Sequence, residues 1–281
     1  MDQVNLGAWE GRTDVACGAI SAEMAAMWHA TLGDPRTDAP RAGDALPPLS
    51  HWCAFPPEAH MSELQADGHP AVGSFLPSVH LKRRMWAGGT LRFGRPLHVG
   101  EPLERRSRVR SIKAKDGRAG PMVFVTVDHA IYGAQGLAVT EQQDIVYLEI
   151  PDSFTPPKKM PMPDAPVAQR RVDPTETLLF RYSALTFNAH RIHYDLPYAQ
   201  EVEHYPGLVV HGPLQATLLM QLAVSTYGST PDQFHFRGVH PLFAGAPMDV
   251  VAVEDSAGLL LFSGAEGHQG MQAGAIWEGT Q

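Results

Sequence analysis

The chain has 281 residues, 44% of them hydrophobic and 19% charged, with a net charge of −8 at pH 7. That composition excludes a disordered chain, and the acidic balance forces no basic face, so nucleic acid is not expected as a partner. The two cysteines, Cys17 and Cys53, form no CxxC pair and build no zinc framework, so no metal site and a reduced, cytoplasmic setting are expected.

The N-terminal run MDQVNLGAWEGRTD lacks the basic start and apolar core of a signal peptide. No apolar run reaches membrane-spanning length, so no membrane partner is expected. SAEMAAMWHATLG (21–33) reads as a short helix, with Ser21 placed to cap it and Gly33 to end it. Residues 34–48, rich in Pro, Gly and Asp, read as a surface loop. Residues 62–90 admit no long helix, because Pro70 and Pro77 would interrupt it.

From about residue 90 the pattern turns extended. TLRFGRPL, LERRSRVRSIKAK, MVFVTVDHAIYG and LAVTEQQDIVYLEI are β-branched runs parted by glycine turns, with KDGRAG (115–120) as a hairpin connection. An antiparallel meander is expected. Six prolines then crowd residues 151–166, which read as a semi-extended linker between a first domain, 1–150, and a second, 167–281. In the second, PLQATLLMQLAVSTYG (213–228) is apolar on nearly every side, as a buried helix should be. The runs GLLLFSGAEG and QAGAIWEG follow as extended segments.

The motif P-L-x-x-G-x-P occurs twice, in RPLHVGEPL (95–103) and HPLFAGAPM (240–248). Two copies of one α+β unit, each an antiparallel sheet backed by a helix, account for it.

The densest chemistry lies in YSALTFNAHRIHYD (182–195), followed by EHYPGLVVHGPLQATLLM (203–220). His193 is the natural base, since a free imidazole titrates at roughly 6.5. Gly212 opens the buried helix, where free N–H groups and the positive dipole end suit a developing oxyanion. The competing readings are a satisfied core His193, a turn-closing Asn188 and a plain turn Gly212. His190 and His211 suit loop shaping or helix capping better than chemistry, and Tyr194 suits packing.

The run N-A-H-R-I-H and the later V-V-H-G resemble the D-x-N-P-x-H and V-x-H-G segments of the MaoC-type, R-specific enoyl-thioester hydratases. The form FNAHRIHYD is closest to a subgroup comprising type-2 hydroxyacyl-thioester dehydratases and the mesaconyl-C4-CoA (3-methylfumaryl-CoA) and itaconyl-CoA hydratases. SELQADGHPAVGSFLPSVHLKRRMWAGGTLRF (62–93) and MVFVTVDHAIYG (122–133) resemble the first half of that subgroup. The resemblance implies a double hot-dog fold of class α+β: two antiparallel sheets joined, each wrapping a helix, the first helix shortened within residues 62–90.

It also implies a hydro-lyase acting on an acyl-CoA, with His193, Asn188 and Gly212 as catalytic residues. No cofactor is implied beyond coenzyme A as part of the substrate, and a homodimer is expected. Asn188 falls where the family has Asp, and an amide cannot share the base role; Asp195 or Glu203 would then assist His193. His211, Tyr194, Arg191 and Arg84 are the substrate-binding candidates. Arg191 is placed to hold a second carboxylate or to pair with Asp195 at i+4, and Lys82–Arg84 and Arg105–Arg106 to meet coenzyme A phosphates or simply to face solvent. A thioesterase, a fatty-acid-type dehydratase and a non-catalytic acyl-thioester-binding subunit are the alternatives.

Overall fold

A computed structural model describes residues 6–117 and 120–279. Ten strands form one antiparallel sheet. In chain order they are β1 (Thr13–Gly18), β2 (Arg83–Phe93), β3 (Leu103–Gly117), β4 (Gly120–Gly133), β5 (Gly136–Leu148), β6 (Ala168–Val172), β7 (Gln233–Gly238), β8 (Met248–Asp255), β9 (Gly258–Ala265) and β10 (His268–Ile276). The order across the sheet is β1-β3-β4-β5-β2-β7-β10-β9-β8-β6. Each half thus repeats one plan, and the two halves of the sheet join where β2 pairs with β7. The expected four-strand meander holds for β3-β4-β5, but β2 lies beyond β5 instead of beside β3. The tip of the 115–120 hairpin, residues 118–119, lies outside the described residues.

The helices repeat as well. Helix α1 (Ala22–Leu32) follows β1, and α2 (Glu176–Thr186) follows β6. Ser21 caps α1 by accepting from the Met24 N–H; Thr175 caps α2 by accepting from the Leu178 N–H. The P-L-x-x-G-x-P motif fills the same place in both halves, the connections β2–β3 and β7–β8. Gly100 and Gly245 take left-handed backbone there, at φ +88° and +87°. Each connection also receives a strand-like segment, through the Ala45–His98 bridge in one half and Val209–Phe243 in the other.

After Val209 the chain enters α4 (Gly212–Tyr227), which runs through the concave face of the second half. Leu214, Ala216, Leu218, Leu219, Met220 and Ala223 are all buried there against β8, β9 and β10. After Ala45 the chain makes only a 3-10 turn, Ser50–Cys53. Pro47-Pro48 before it and Pro56-Pro57 after it deny a longer helix the N–H groups and backbone angles it needs. The shortened helix therefore sits at residues 50–53, not within 62–90. Residues 64–82 are instead irregular, and Val72, Phe75, Leu76, Val79 and Leu81 pack over the end of the first sheet half.

The proline-rich segment 151–166 is held in place. Pro161 bridges to His268, the Gln269 N–H donates to the Met160 carbonyl, and Phe154 packs edge-on against Phe243. Among the described residues no helix is long and apolar enough to cross a membrane.

Candidate active site

Where the first half lacks its helix, a cavity of about 1870 Å³ opens between the halves. Its wall includes His193, Asn188, Gly212, Tyr194 and Arg84. His211 and Arg191 are not on that wall.

His193 closes a 3-10 turn, Arg191–His193, and is buried. Its Nδ1–H donates to the Val209 carbonyl at 2.7 Å. That bond fixes the tautomer and leaves Nε2 as the ring's acceptor. Burial pushes its pKa well below the usual imidazole value, the neighbouring His211 and His190 push the same way, and the Val209 carbonyl only partly opposes them. The ring is therefore neutral near pH 7, as a base must be before it takes a proton.

His211 stacks on His193 with ring centroids 3.6 Å apart, and the Ser183 hydroxyl bonds its Nε2 at 2.9 Å. Burial lowers its pKa to about 3. It is thus a neutral wedge that fixes the His193 plane and precedes Gly212, the first residue of α4. A side chain built at Gly212 would meet only the Met271 Cε and the Trp86 carbonyl, both at 3.8 Å, so its flank is open. The helix-start N–H groups of α4 and the His193 ring consequently border one space.

Asn188 follows the left-handed C-cap Phe187 of α2. Its Oδ1 accepts the His190 N–H at 2.9 Å, closing an Asx turn. The bond orients the amide, and both N–H₂ donors remain for a ligand. Arg191 gives two bonds to the Asp195 Oδ2, at 2.9 and 2.8 Å, and lies over the Tyr198 ring. The i+4 ion pair is the arrangement present, and it holds Arg191 off the cavity. Asp195 also caps helix α3 (Leu196–Glu201). Glu203 is buried and paired with Arg83, whose Nε lies 2.9 Å from its Oε2, and with His190 at 3.4 Å. Both carboxylates thus hold other partners, and neither is hydrogen-bonded to His193. Tyr194 is half exposed at the rim and donates to the Ala189 carbonyl at 3.0 Å.

Sequence reasoning missed a second imidazole. His69 lines the cavity from the irregular first-half loop, with its ring 4.1 Å from that of His190. Asp67 accepts from the His69 Nδ1–H at 2.8 Å and from its backbone N–H at 2.9 Å. Burial raises the Asp67 pKa, but the His69 bonds and charge win and hold it at about 2. Burial lowers the His69 pKa to about 4 against the pull of Asp67, aided by the Arg84 charge. The loop is seated on the 188–193 run: the Arg191 N–H donates to the Asp67 carbonyl, and Gly68, at φ +89°, abuts Ala189. The signal available in the sequence was D-G-H followed by Pro70, too short to separate from a turn. Asp67, His69 and His190 offer ligand atoms within 4.8 Å of one another, a geometry open to a cation. Both Asp67 oxygens, however, already accept from His69.

Arg105 and Arg106 part company. Arg106 is exposed and pairs with Glu104 at 2.6 Å, whereas Arg105 points into the cavity wall.

Residues 49–244 match the family model described as hydroxyacyl-thioester dehydratase type 2. The chain is 48% identical over 256 residues, 90% of each chain, to the mesaconyl-C(4)-CoA hydratase of Chloroflexus aurantiacus. It is 30% identical to the mitochondrial hydroxyacyl-thioester dehydratase type 2 of Schizosaccharomyces pombe, covering 75% of this chain and 78% of that one. A MaoC-like dehydratase of Phytophthora capsici superposes with a TM-score of 0.71 at 14% identity, covering 98% and 99% of the two chains. A Mycobacterium tuberculosis protein described as a double hotdog fold superposes with a TM-score of 0.53 at 17% identity, covering 94% of each. The repeated sheet plan, the helix-start site and these matches agree: the chain belongs to the hydroxyacyl-thioester dehydratase type 2 family, and it is a hydro-lyase.

Proposed function

We propose that this enzyme hydrates the double bond of a short, branched dicarboxylic enoyl-CoA, with mesaconyl-C4-CoA as substrate and citramalyl-CoA as product. The observation that carries the reading is the His193 ring, held neutral with its acceptor nitrogen free, on the same cavity as the N-terminus of α4. Nε2 of His193 takes a proton from water as the water oxygen bonds to the β-carbon. Negative charge moves to the thioester oxygen, where the Gly212 N–H receives it. The imidazolium then returns its proton to the α-carbon, so one residue serves both transfers. The Asn188 N–H₂ orients the water. No cofactor enters this scheme, and coenzyme A is the substrate's carrier.

The chemistry favours the mesaconyl isomer over the itaconyl one that leads to the same product. In the latter the double bond is out of conjugation with the thioester, and the oxyanion site would have no charge to hold. The 48% identity to the Chloroflexus aurantiacus hydratase supports the same choice.

The test is the loss of enoyl absorbance when mesaconyl-C4-CoA is added. His193→Ala should slow it by roughly 10²- to 10⁴-fold, the usual worth of a positioned acid-base group. An unaffected rate would remove His193 from the mechanism. Release of free thiol without loss of the double bond would instead make the enzyme a thioesterase.

A further inference from the structure

The repeat gives the strand residues near the shared motif in the first half counterparts in the second. The P-L-x-x-G-x-P motifs fix the alignment: Leu103 opens β3 as Met248 opens β8. Strand register carries it across the sheet. Ser107 lies beside His129, His129 beside Glu141, and Glu141 beside Leu91. Ala252 lies beside Leu261, Leu261 beside Ala273, and Ala273 beside Phe236. So Ser107, His129 and Glu141 stand where the second half has Ala252, Leu261 and Ala273. Arg105 stands where it has Val250, and Gln143 where it has Ala275.

In the second half this row is buried against α4. In the first half it faces the cavity, and its polarity is not incidental. Glu141 is saturated: His51 Nε2 lies 3.1 Å from Oε2, and the Trp52 indole N–H reaches both oxygens at 3.1 Å. His129 is bonded on both sides, to the Ser107 hydroxyl at 2.8 Å and the Gln143 Oε1 at 3.1 Å. The acceptors of the row are thus spent, and donors are left over: the Gln143 N–H₂ and the Arg105 guanidinium. Arg105 makes no ion pair among the described residues. Its buried Nε has no partner, and its guanidinium lies over the Phe55 ring with its carbon 5.0 Å from the ring centroid. The nearby charges of Glu141 and Asp14 ease its burial without bonding it. An unpaired guanidinium on a largely desolvated wall is costly unless an anion completes it.

We infer that Arg105 and Gln143 receive the free carboxylate of the acyl group, making the vacated helix position of the first half a selectivity pocket for thioesters of dicarboxylic acids. This rests on the acyl-thioester reading of the cavity but not on hydration. An alkyl tail would strand the guanidinium, whereas a carboxylate accepts two parallel bonds from it.

Equilibrium binding of succinyl-CoA and butyryl-CoA tests the pocket without any reaction. The two ligands share coenzyme A and differ at the acyl terminus. Wild-type protein should prefer succinyl-CoA by about 10- to 100-fold, the worth of a hydrogen-bonded charged group. Arg105→Met should erase the preference by weakening succinyl-CoA without weakening butyryl-CoA, and Arg105→Lys should restore part of it. Equal loss on both ligands would place Arg105 on coenzyme A phosphates and overturn the assignment. So would a preference that survives Arg105→Met and collapses in Arg84→Met. Should Arg105→Met not fold, the wild-type ratio decides: no preference sinks the pocket. If mesaconyl-C4-CoA is not hydrated yet the binding preference follows Arg105, the hydratase reading fails and the pocket stands.

Discussion

The two halves of the sheet share strand order, helix caps and a left-handed glycine at the same connection, yet their interiors are opposites. The second half is filled by α4, and its concave wall is Val250, Ala252, Leu261 and Ala273. The first half has a four-residue turn in that place and a wall carrying Arg105, His129, Glu141 and Gln143. Backbone plan and interior chemistry are therefore separable. Hydrogen-bond register and glycine turns maintain the plan, while alternate residues of the same strands decide whether the space is packed or kept for a ligand.

Exchanging the wall residues breaks this comparison most sharply. Val250→Arg places a charge in a packed interior with no partner, and about 3–5 kcal/mol of stability should be lost. The mirror change, Arg105→Val, removes an unpaired charge from a cavity wall and should leave stability within about 1 kcal/mol of wild type or raise it. Denaturant midpoints with unchanged slopes measure both. Similar losses in the two variants would mean that the first-half wall is structural after all.

A smaller effect is expected where the halves touch through loops. Gly68 sits at φ +89°, and a Cβ there would meet the Ala189 carbonyl oxygen at 1.8 Å. Gly68→Ala should cost about 1–3 kcal/mol locally and push the Asp67–His69 loop off the 188–193 run. Turnover should fall by roughly 10- to 100-fold, as displacement of a positioned group does. Wild-type turnover in a folded Gly68→Ala protein would show that the loop only covers the cavity.

The last test changes pH and no residue. His69, His193 and His211 all have native pKa values below the ordinary 6.5, burial being the main cause. The unfolded chain then binds more protons than the native one below pH 6.5. Their contribution to stability is whole above that pH. It is lost as pH falls toward the native values, about 4 for His69 and about 3 for His211. Unfolding at pH 5.5 should take up roughly one proton for each of the three imidazoles, and unfolding at pH 8 almost none from them. Equal uptake at both pH values would mean that the rings are charged in the native state.

Much of the second half is legible in the sequence, because its signals are local. His193 and Asn188 lie within one six-residue run, and Gly212 with Pro213 announces a helix start. The first half is harder, since its chemistry is assembled across strands. Ser107, His129 and Glu141 are ordinary strand residues until register sets them in one row, with Arg105 two residues before Ser107 on β3. Arg83 meets Glu203 across 120 positions, and that pairing spends a carboxylate which looks available in the one-dimensional string. The proline pairs at 47–48 and 56–57 did mark where the first helix fails, but Pro70 and Pro77 draw the eye further along.

The segment 151–166 runs between β5 and β6 and so places both halves in a single polypeptide. In an assembly of identical small subunits, any residue removed from one interior would vanish from its twin, and the base would go with the helix. Fusion lifts that constraint. One copy keeps its central helix, and the other is free to give that space up.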